Sequence, residues 1–129
     1  MEILALYDTA LLFGGMVLYS AGLAPLLFST LPAAEAGRVL RVAFPWYYAF
    51  CGIVAALGML AFLFTDLVSA ALMAVVALVA VSARQALMPA INAASDSGAR
   101  SRFRRLHGLS VALNFGQLAL IALVLWRLA

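Results

Sequence analysis

The sequence predicts an all-α integral membrane protein, a four-helix bundle in one domain with both termini on the outer side (N-out/C-out). Three observations carry that prediction. Of 129 residues, 67% are hydrophobic and only 10% are charged, whereas soluble domains average about 45–50% and about 25%. With a mean hydropathy of +1.13, the chain has too few polar side chains to cover a globule in water. Its apolar residues also fall into four runs near the ~20 residues that cross a hydrocarbon core of ~30 Å. Those runs are continuous and do not alternate with period two, which excludes a transmembrane β-barrel.

The first span covers about 3–27 and carries one charge, Asp8. Glu2, not a basic residue, leads it, and it is longer than the apolar core of a signal peptide, so it reads as a retained span. The second opens at Pro45 and continues to about 64, because proline suits a first helical turn, where its missing N–H costs nothing. Leu67 begins the third directly after Asp66; it stays apolar to Ala83, meets Arg84 and ends near 88. The fourth covers about 106–128. No internal repeat, linker or low-complexity tract divides the chain.

Four spans place the loops after the first and third on one side. Those loops hold Arg38, Arg41, Arg100, Arg102, Arg104 and Arg105, whereas the other side has only Arg127 beside Glu2 and Asp66. Short arginine-rich loops are retained in the cytoplasm, so both termini are expected outside, periplasmic for a protein of a bacterial inner membrane. The aromatic residues agree: Phe44, Trp46, Tyr47 and Tyr48 form a belt at the inner end of span two, and Trp126 marks the outer end of span four. A pI near 9.6 would also suit nucleic acid. These arginines sit beside spans, however, where anionic headgroups account for them, so lipid is the expected partner and nucleic acid is not.

Helices in lipid associate through close packing of small residues. Asp8, Gly15 and Gly22 share one stripe of span one, which points Asp8 into the bundle. Its geometrically accessible partners are Arg127 or a neighbouring subunit. Gly52, Ala55, Ala56 and Met59 offer a comparable face on span two. In span three Ala70, Ala74, Ala77, Val81 and Arg84 recur at heptad-like spacing, so Arg84 continues a small-residue seam.

Span four carries the most informative pattern. His107, Ser110, Asn114 and Gln117 fall within roughly 80° of arc at about 100° per residue, and such a polar stripe cannot comfortably face lipid. Span three brings Arg84, Gln85 and Asn92 to the same half, with Pro89 between them able to loosen the ladder. Tyr47 and Tyr48 reach that depth from span two, and Tyr19 and Ser20 from span one. One polar pocket in the inner leaflet is expected, lined by all four helices through Tyr47, Tyr48, Arg84, Asn92, His107, Ser110, Asn114 and Gln117. Arg84 has two readings, a side chain snorkelling to headgroups and a clamp for an anion.

Catalytic and metal chemistry find little support. One histidine, His107, cannot build a zinc or bis-histidine haem site alone, and it reads as a hydrogen-bonded structural group. Cys51 has no partner for a disulfide. Met16, Met59, Met73 and Met88 are scattered, as gap-filling methionines are. Ser110 lies three residues from His107, but no carboxylate stands near to orient the imidazole. No phosphate loop, HExxH or CxxC is present.

The segments Ala24-Pro25-Leu26-Leu27-Phe28, Leu31-Pro32, Ala36-Gly37 and Phe44-Pro45-Trp46-Tyr47-Tyr48 resemble a family of small bacterial membrane proteins. So do Pro89-Ala90-Ile91-Asn92, Phe103, Leu106-His107-Gly108-Leu109-Ser110 and Asn114. It is the domain of unknown function 4149 family, related to eukaryotic transmembrane protein 205. The resemblance implies a four-span protein and marks Asn92, His107, Ser110 and Asn114. The eukaryotic relative's association with platinum-drug tolerance implies export or trafficking. Members often carry a histidine in the first span, and this chain has none there, which counts against a metal or haem site by analogy.

The leading functional expectation is a non-enzymatic membrane protein that self-associates or serves as an accessory subunit of a membrane complex. A transporter or tolerance factor for a small solute or soft metal is the alternative, and a quinone- or haem-binding redox protein is the third.

Overall fold

A computed structural model describes residues 2–129. Four helices make up nearly all of it: α1 (Glu2–Thr30), α2 (Ala33–Phe62), α3 (Leu67–Asp96) and α4 (Arg100–Leu128), each long and apolar enough to cross a membrane. At ~1.5 Å per residue each is about 44 Å long, the thickness of a bilayer including its headgroups. The helices therefore overhang the apolar runs by a turn or more.

The greatest extension is in α2, and it corrects the expected start at Pro45. Pro32 caps the helix, its carbonyl accepting from the N–H groups of Glu35 at 3.0 Å and Ala36 at 2.9 Å, so Pro45 lies inside α2. The segment 33–44 reads as a loop on hydropathy because Glu35, Arg38 and Arg41 interrupt it. Leu31-Pro32 followed by an acidic first turn is nonetheless an ordinary helix start.

Asp66 does cap α3, where its Oδ1 accepts from the backbone N–H groups of Val68 and Ser69 at 3.2 and 3.3 Å. At the other end the chain leaves α3 through Gly98, whose φ of 71° lies in the left-handed region that glycine adopts without steric cost.

Two helices carry a π-helical turn, Leu18–Leu23 in α1 and Ala83–Leu87 in α3. In each the widened turn closes on an N–H five residues ahead, Ala24 to Tyr19 and Met88 to Ala83. A proline follows immediately, Pro25 or Pro89. A proline ring clashes with the carbonyl four residues back and supplies no donor, and a local change of register is one way for a helix to accommodate it.

Each helix packs against its chain neighbour, and α4 returns to the first half of α1 to close the ring. The seam of α2 runs through Tyr47, Cys51, Ala55, Gly58 and Phe62, all buried. That of α4 runs through Ser110, Gln117, Ile121 and Val124. The buried residues of α3 are Ser69, Ala70, Met73, Val76, Ala80 and Ala83. Of the expected Ala70, Ala74, Ala77, Val81 and Arg84, Ala70 is buried, and from there on the buried stripe runs one residue out of phase with the expected one. An alanine-rich helix offers small residues on every side, so Met73 and Val76, filling the core, set the rotation. Arg84 is thereby turned off the seam to an exposed position.

Close approach is enforced at two glycines. A Cβ on Gly15 would lie 2.7 Å from the Phe50 ring, and one on Gly58 would collide with the Asp8 carboxylate and the Met73 methyl. Gly22 has only its own helix's Leu18 nearby, so the expected α1 stripe holds at Gly15 and fails at Gly22.

Candidate functional site

Below the π turn α1 parts from α4. Glu2–Val17 packs on α4, whereas Ala24–Thr30 packs chiefly on α2 and makes no comparable contact with α4. The space this leaves is a cavity of about 740 Å³ at the arginine-rich end, lined by residues of all four helices.

Its floor is a ring of hydrogen bonds joining three helices. Tyr47 on α2 donates its hydroxyl to Asn114 Oδ1 on α4 at 2.6 Å, and Asn114 Nδ2 donates to Ser20 Oγ on α1 at 2.8 Å. Ser20 Oγ lies 3.4 Å from Tyr47 Oη and closes the ring when its proton points there. Both hydroxyls then donate once and accept once, which suits polar groups held in hydrocarbon. The ring leaves one N–H of Asn114 unspent. Ser20 belongs to the π turn, so the same local distortion positions this ligand of the ring and opens the space beside it.

Aromatic side chains form the wall. Tyr19 stacks on Tyr47 with ring centroids 4.0 Å apart and 14° between planes, and meets Phe44 edge-on at 5.5 Å. Tyr48 packs edge-on against Tyr47 at 5.4 Å. Such aromatic contacts add about 0.5–1.5 kcal/mol each beyond area burial.

At the mouth stand Arg38, Arg41, Asn92 and His107. Arg41 Nη1 and Nη2 donate to the two carboxylate oxygens of Asp96 at 2.8 and 2.7 Å, tying α2 to α3. His107 stacks on Phe103, with centroids 5.7 Å apart and 6° between planes. Ser110 gives its hydroxyl to the His107 carbonyl at 2.8 Å, so it is bound to backbone and not to the imidazole.

Of the expected pocket residues, the structure places Tyr47, Tyr48, Asn92, His107, Ser110 and Asn114 around this cavity, and places Arg84 and Gln117 elsewhere. Arg84 is exposed; its Nε donates to the Pro45 carbonyl and its Nη1 to Gln85 Oε1, both at 3.1 Å. The phase of α3 explains this, since the cavity faces the side bearing Met88, Ile91 and Asn92. Gln117 lies one turn beyond Asn114, above the floor. It is buried and donates to the Val76 carbonyl at 3.2 Å, a tie between α4 and α3.

Arg38 and Arg41, read from sequence as headgroup contacts, also line the cavity, which the loop reading of 33–44 concealed. Arg100, Arg102, Arg104 and Arg105 are exposed on the first turns of α4. In the sequence, only Pro25 and Pro89 hint at the two distorted turns, and their positions alone do not locate the opening.

The opposite end is closed by charge. Arg127 pairs with Asp66 at 2.9 Å and also donates to Ser69, so it is not the partner of Asp8. Hydrogen bonds from Arg127 and Ser69 hold the Asp66 carboxyl well below the usual carboxylate range. Asp8 instead fits into the space that Gly58 leaves, its Oδ2 buried without a hydrogen-bond partner among the described residues.

In comparisons with known proteins, the family model described as "Domain of unknown function (DUF4149)" matches residues 8–100. The match takes in α1–α3 and ends at the start of α4. No curated protein and no solved structure matches the chain.

Proposed function

The chain belongs to the family of the domain of unknown function DUF4149, and from that premise we propose that it is a non-enzymatic, multi-pass membrane protein that holds one small amphipathic molecule between its four helices. The cavity carries this reading, with a hydrogen-bonded floor, aromatic walls and arginines at its mouth. Mostly apolar pockets with a few convergent polar groups are the usual form of small-molecule sites. In the orientation we propose, the arginine-rich end faces the cytoplasm and both termini face the periplasm, in the inner membrane of a bacterium. Anionic headgroups are the proposed surface partner of Arg100, Arg102, Arg104 and Arg105. The transporter or tolerance-factor alternative enters through the expected relation of the family to transmembrane protein 205, and it would use the same cavity.

The test is recovery of the occupant. Protein purified in mild detergent is denatured, and the extract is analysed by mass spectrometry beside the Gly37→Leu variant. Gly37 lines the cavity, with open space where a Cβ would project. A stoichiometric molecule that is lost in the variant supports the reading; an empty extract, or a molecule retained equally by both, overturns it.

Self-association is the second reading, supported by a different face. Gly108 and Gly116 are exposed on α4 with no atom within 4 Å of a Cβ, and exposed Ala112 lies between them. Interior helical glycines cost about 1 kcal/mol each relative to alanine. Close approach of another α4, or of a helix of a larger complex, would offset that cost. Crosslinking in native membranes that is abolished by Gly116→Leu supports it, and an unchanged monomer in both proteins overturns it.

A further inference from the structure

Resting on the hosting role proposed above, we infer that the occupant is an anionic lipid of the adjoining leaflet. Its phosphate is held at Arg38, and its chains leave through the gap between α1 and α4.

The sign of the charge follows from an imbalance at the mouth. The cavity is lined by Arg38, Arg41 and His107 and by no aspartate or glutamate among the described residues. Asp96 lies just outside, and both of its oxygens are taken by Arg41. Arg38 sits three residues from Arg41 on the same face of α2, and neither an ion pair nor a hydrogen bond engages it among the described residues. Asn92, opposite on α3, also has an uncommitted side-chain amide among those residues. A guanidinium and an amide facing one space recognise an oxyanion, and guanidinium suits phosphate because two N–H groups can donate in parallel.

The rest of the molecule follows from the walls and the gap. Phe28 on α1 and Phe115 on α4 line the cavity yet remain 53% and 63% exposed. Phe28 stands on the segment of α1 that departs from α4, and Phe115 stands beside Asn114 at the floor, where Ser20 still joins the two helices. A free phosphate or a small soluble anion gains nothing from aromatic walls, whereas acyl chains bury against them and continue into the hydrocarbon. Arg38 lies near the helix end, at headgroup depth, so a lipid could present its phosphate there without leaving its leaflet.

Native mass spectrometry of the full chain in nanodiscs tests this, with phosphatidylglycerol and phosphatidylcholine of identical chains competing. A third arm adds sn-glycerol 1-phosphate to phosphatidylcholine discs. Both lipids offer Arg38 a phosphate, but phosphatidylcholine also brings a choline cation against Arg38 and Arg41. Wild type should therefore retain phosphatidylglycerol over phosphatidylcholine by about tenfold. Arg38→Gln should erase that preference while the thermal midpoint stays within the range of Arg102→Gln. Equal retention of the two lipids, indifferent to Arg38→Gln, overturns the assignment of charge and leaves the hosting role standing. Retention of glycerol phosphate in place of lipid overturns the lipid as source. If neither lipid nor anion is retained and Gly37→Leu behaves as wild type, the hosting role falls with it.

Discussion

Replacing Asn114 with leucine removes the residue that ties three helices at the cavity floor. Two hydrogen bonds are lost, the 2.6 Å bond from Tyr47 and the 2.8 Å bond to Ser20. Interhelical hydrogen bonds in membrane proteins average about 0.6 kcal/mol and reach about 1.7, so the direct loss is about 1.2–3.4 kcal/mol. Tyr47 and Ser20, 3.4 Å apart, can then draw together and satisfy each other, which pulls the expectation to about 1–2.5 kcal/mol. Tyr47→Phe keeps the ring stacked on Tyr19 and removes only the hydroxyl, costing about 0.6–1.7 kcal/mol. Because the two substitutions share one bond, their double mutant should cost less than the sum by about 0.6–1.7 kcal/mol. Reversible unfolding in mixed micelles of rising dodecyl sulfate content, followed by helical circular dichroism, measures all four corners of the cycle. Singles that add within about 0.3 kcal/mol would refute the ring as an energetic unit.

Further outcomes follow from other contacts. Gly58→Ala should destabilise by about 1–3 kcal/mol through overpacking against fully buried Met73. Adding Asp8→Ala should recover part of that loss in the same titration. Asp66, outside the spans, has its proton affinity depressed in the folded protein, so its contribution is complete above its unfolded pKa of about 3.9 and declines as pH falls below that value. Asp66→Asn should therefore flatten the stability profile below pH ~4 while retaining the helix cap. Gly98→Ala forces a Cβ into the left-handed region and should cost about 1–2 kcal/mol. For the proposed orientation, Ser101→Cys should react with an impermeant maleimide only from the cytoplasmic side, and Cys51, fully buried, should stay silent in the folded protein.

Much of the fold was legible because hydrocarbon imposes a simple rule. Continuous apolar runs must be helices, and the helix-four stripe of His107, Ser110, Asn114 and Gln117 is expected to face inward. Ser110 and Gln117 are buried and Asn114 half-buried, whereas His107, nearest the arginine-rich end, is exposed. Legibility failed where the rule stops acting. The first twelve residues of α2 lie outside the apolar run, so hydropathy could not assign them, and with them went the cavity roles of Arg38 and Arg41. In α3 the alanine background erased the phase, and an error of one residue moved Arg84 from the seam to the surface. Gln117 shows a third limit, since angular position fixed its face while depth decided that it serves packing above the floor. The π turns were foreshadowed only by Pro25 and Pro89, whose position alone does not tell a kink from a widened turn.

Those two turns lie on diagonally opposite members of the ring, and both sit on the arginine side of the core. Toward the termini, α1 and α4 stay joined from Glu2 to Val17, and the Asp66–Arg127 pair ties α3 to α4. The helices are thus tied together at the end that carries the termini and spread apart at the arginine-rich end. An occupant could be admitted by swinging the last two turns of α1 about Leu18–Leu23, with no rearrangement of the tied end. Passage to the opposite leaflet would instead require unplugging Asp8 from Gly58 and parting that ion pair, a different and far larger motion. Under the proposed hosting role, such an architecture would suit retention within one leaflet more than conduction across the bilayer.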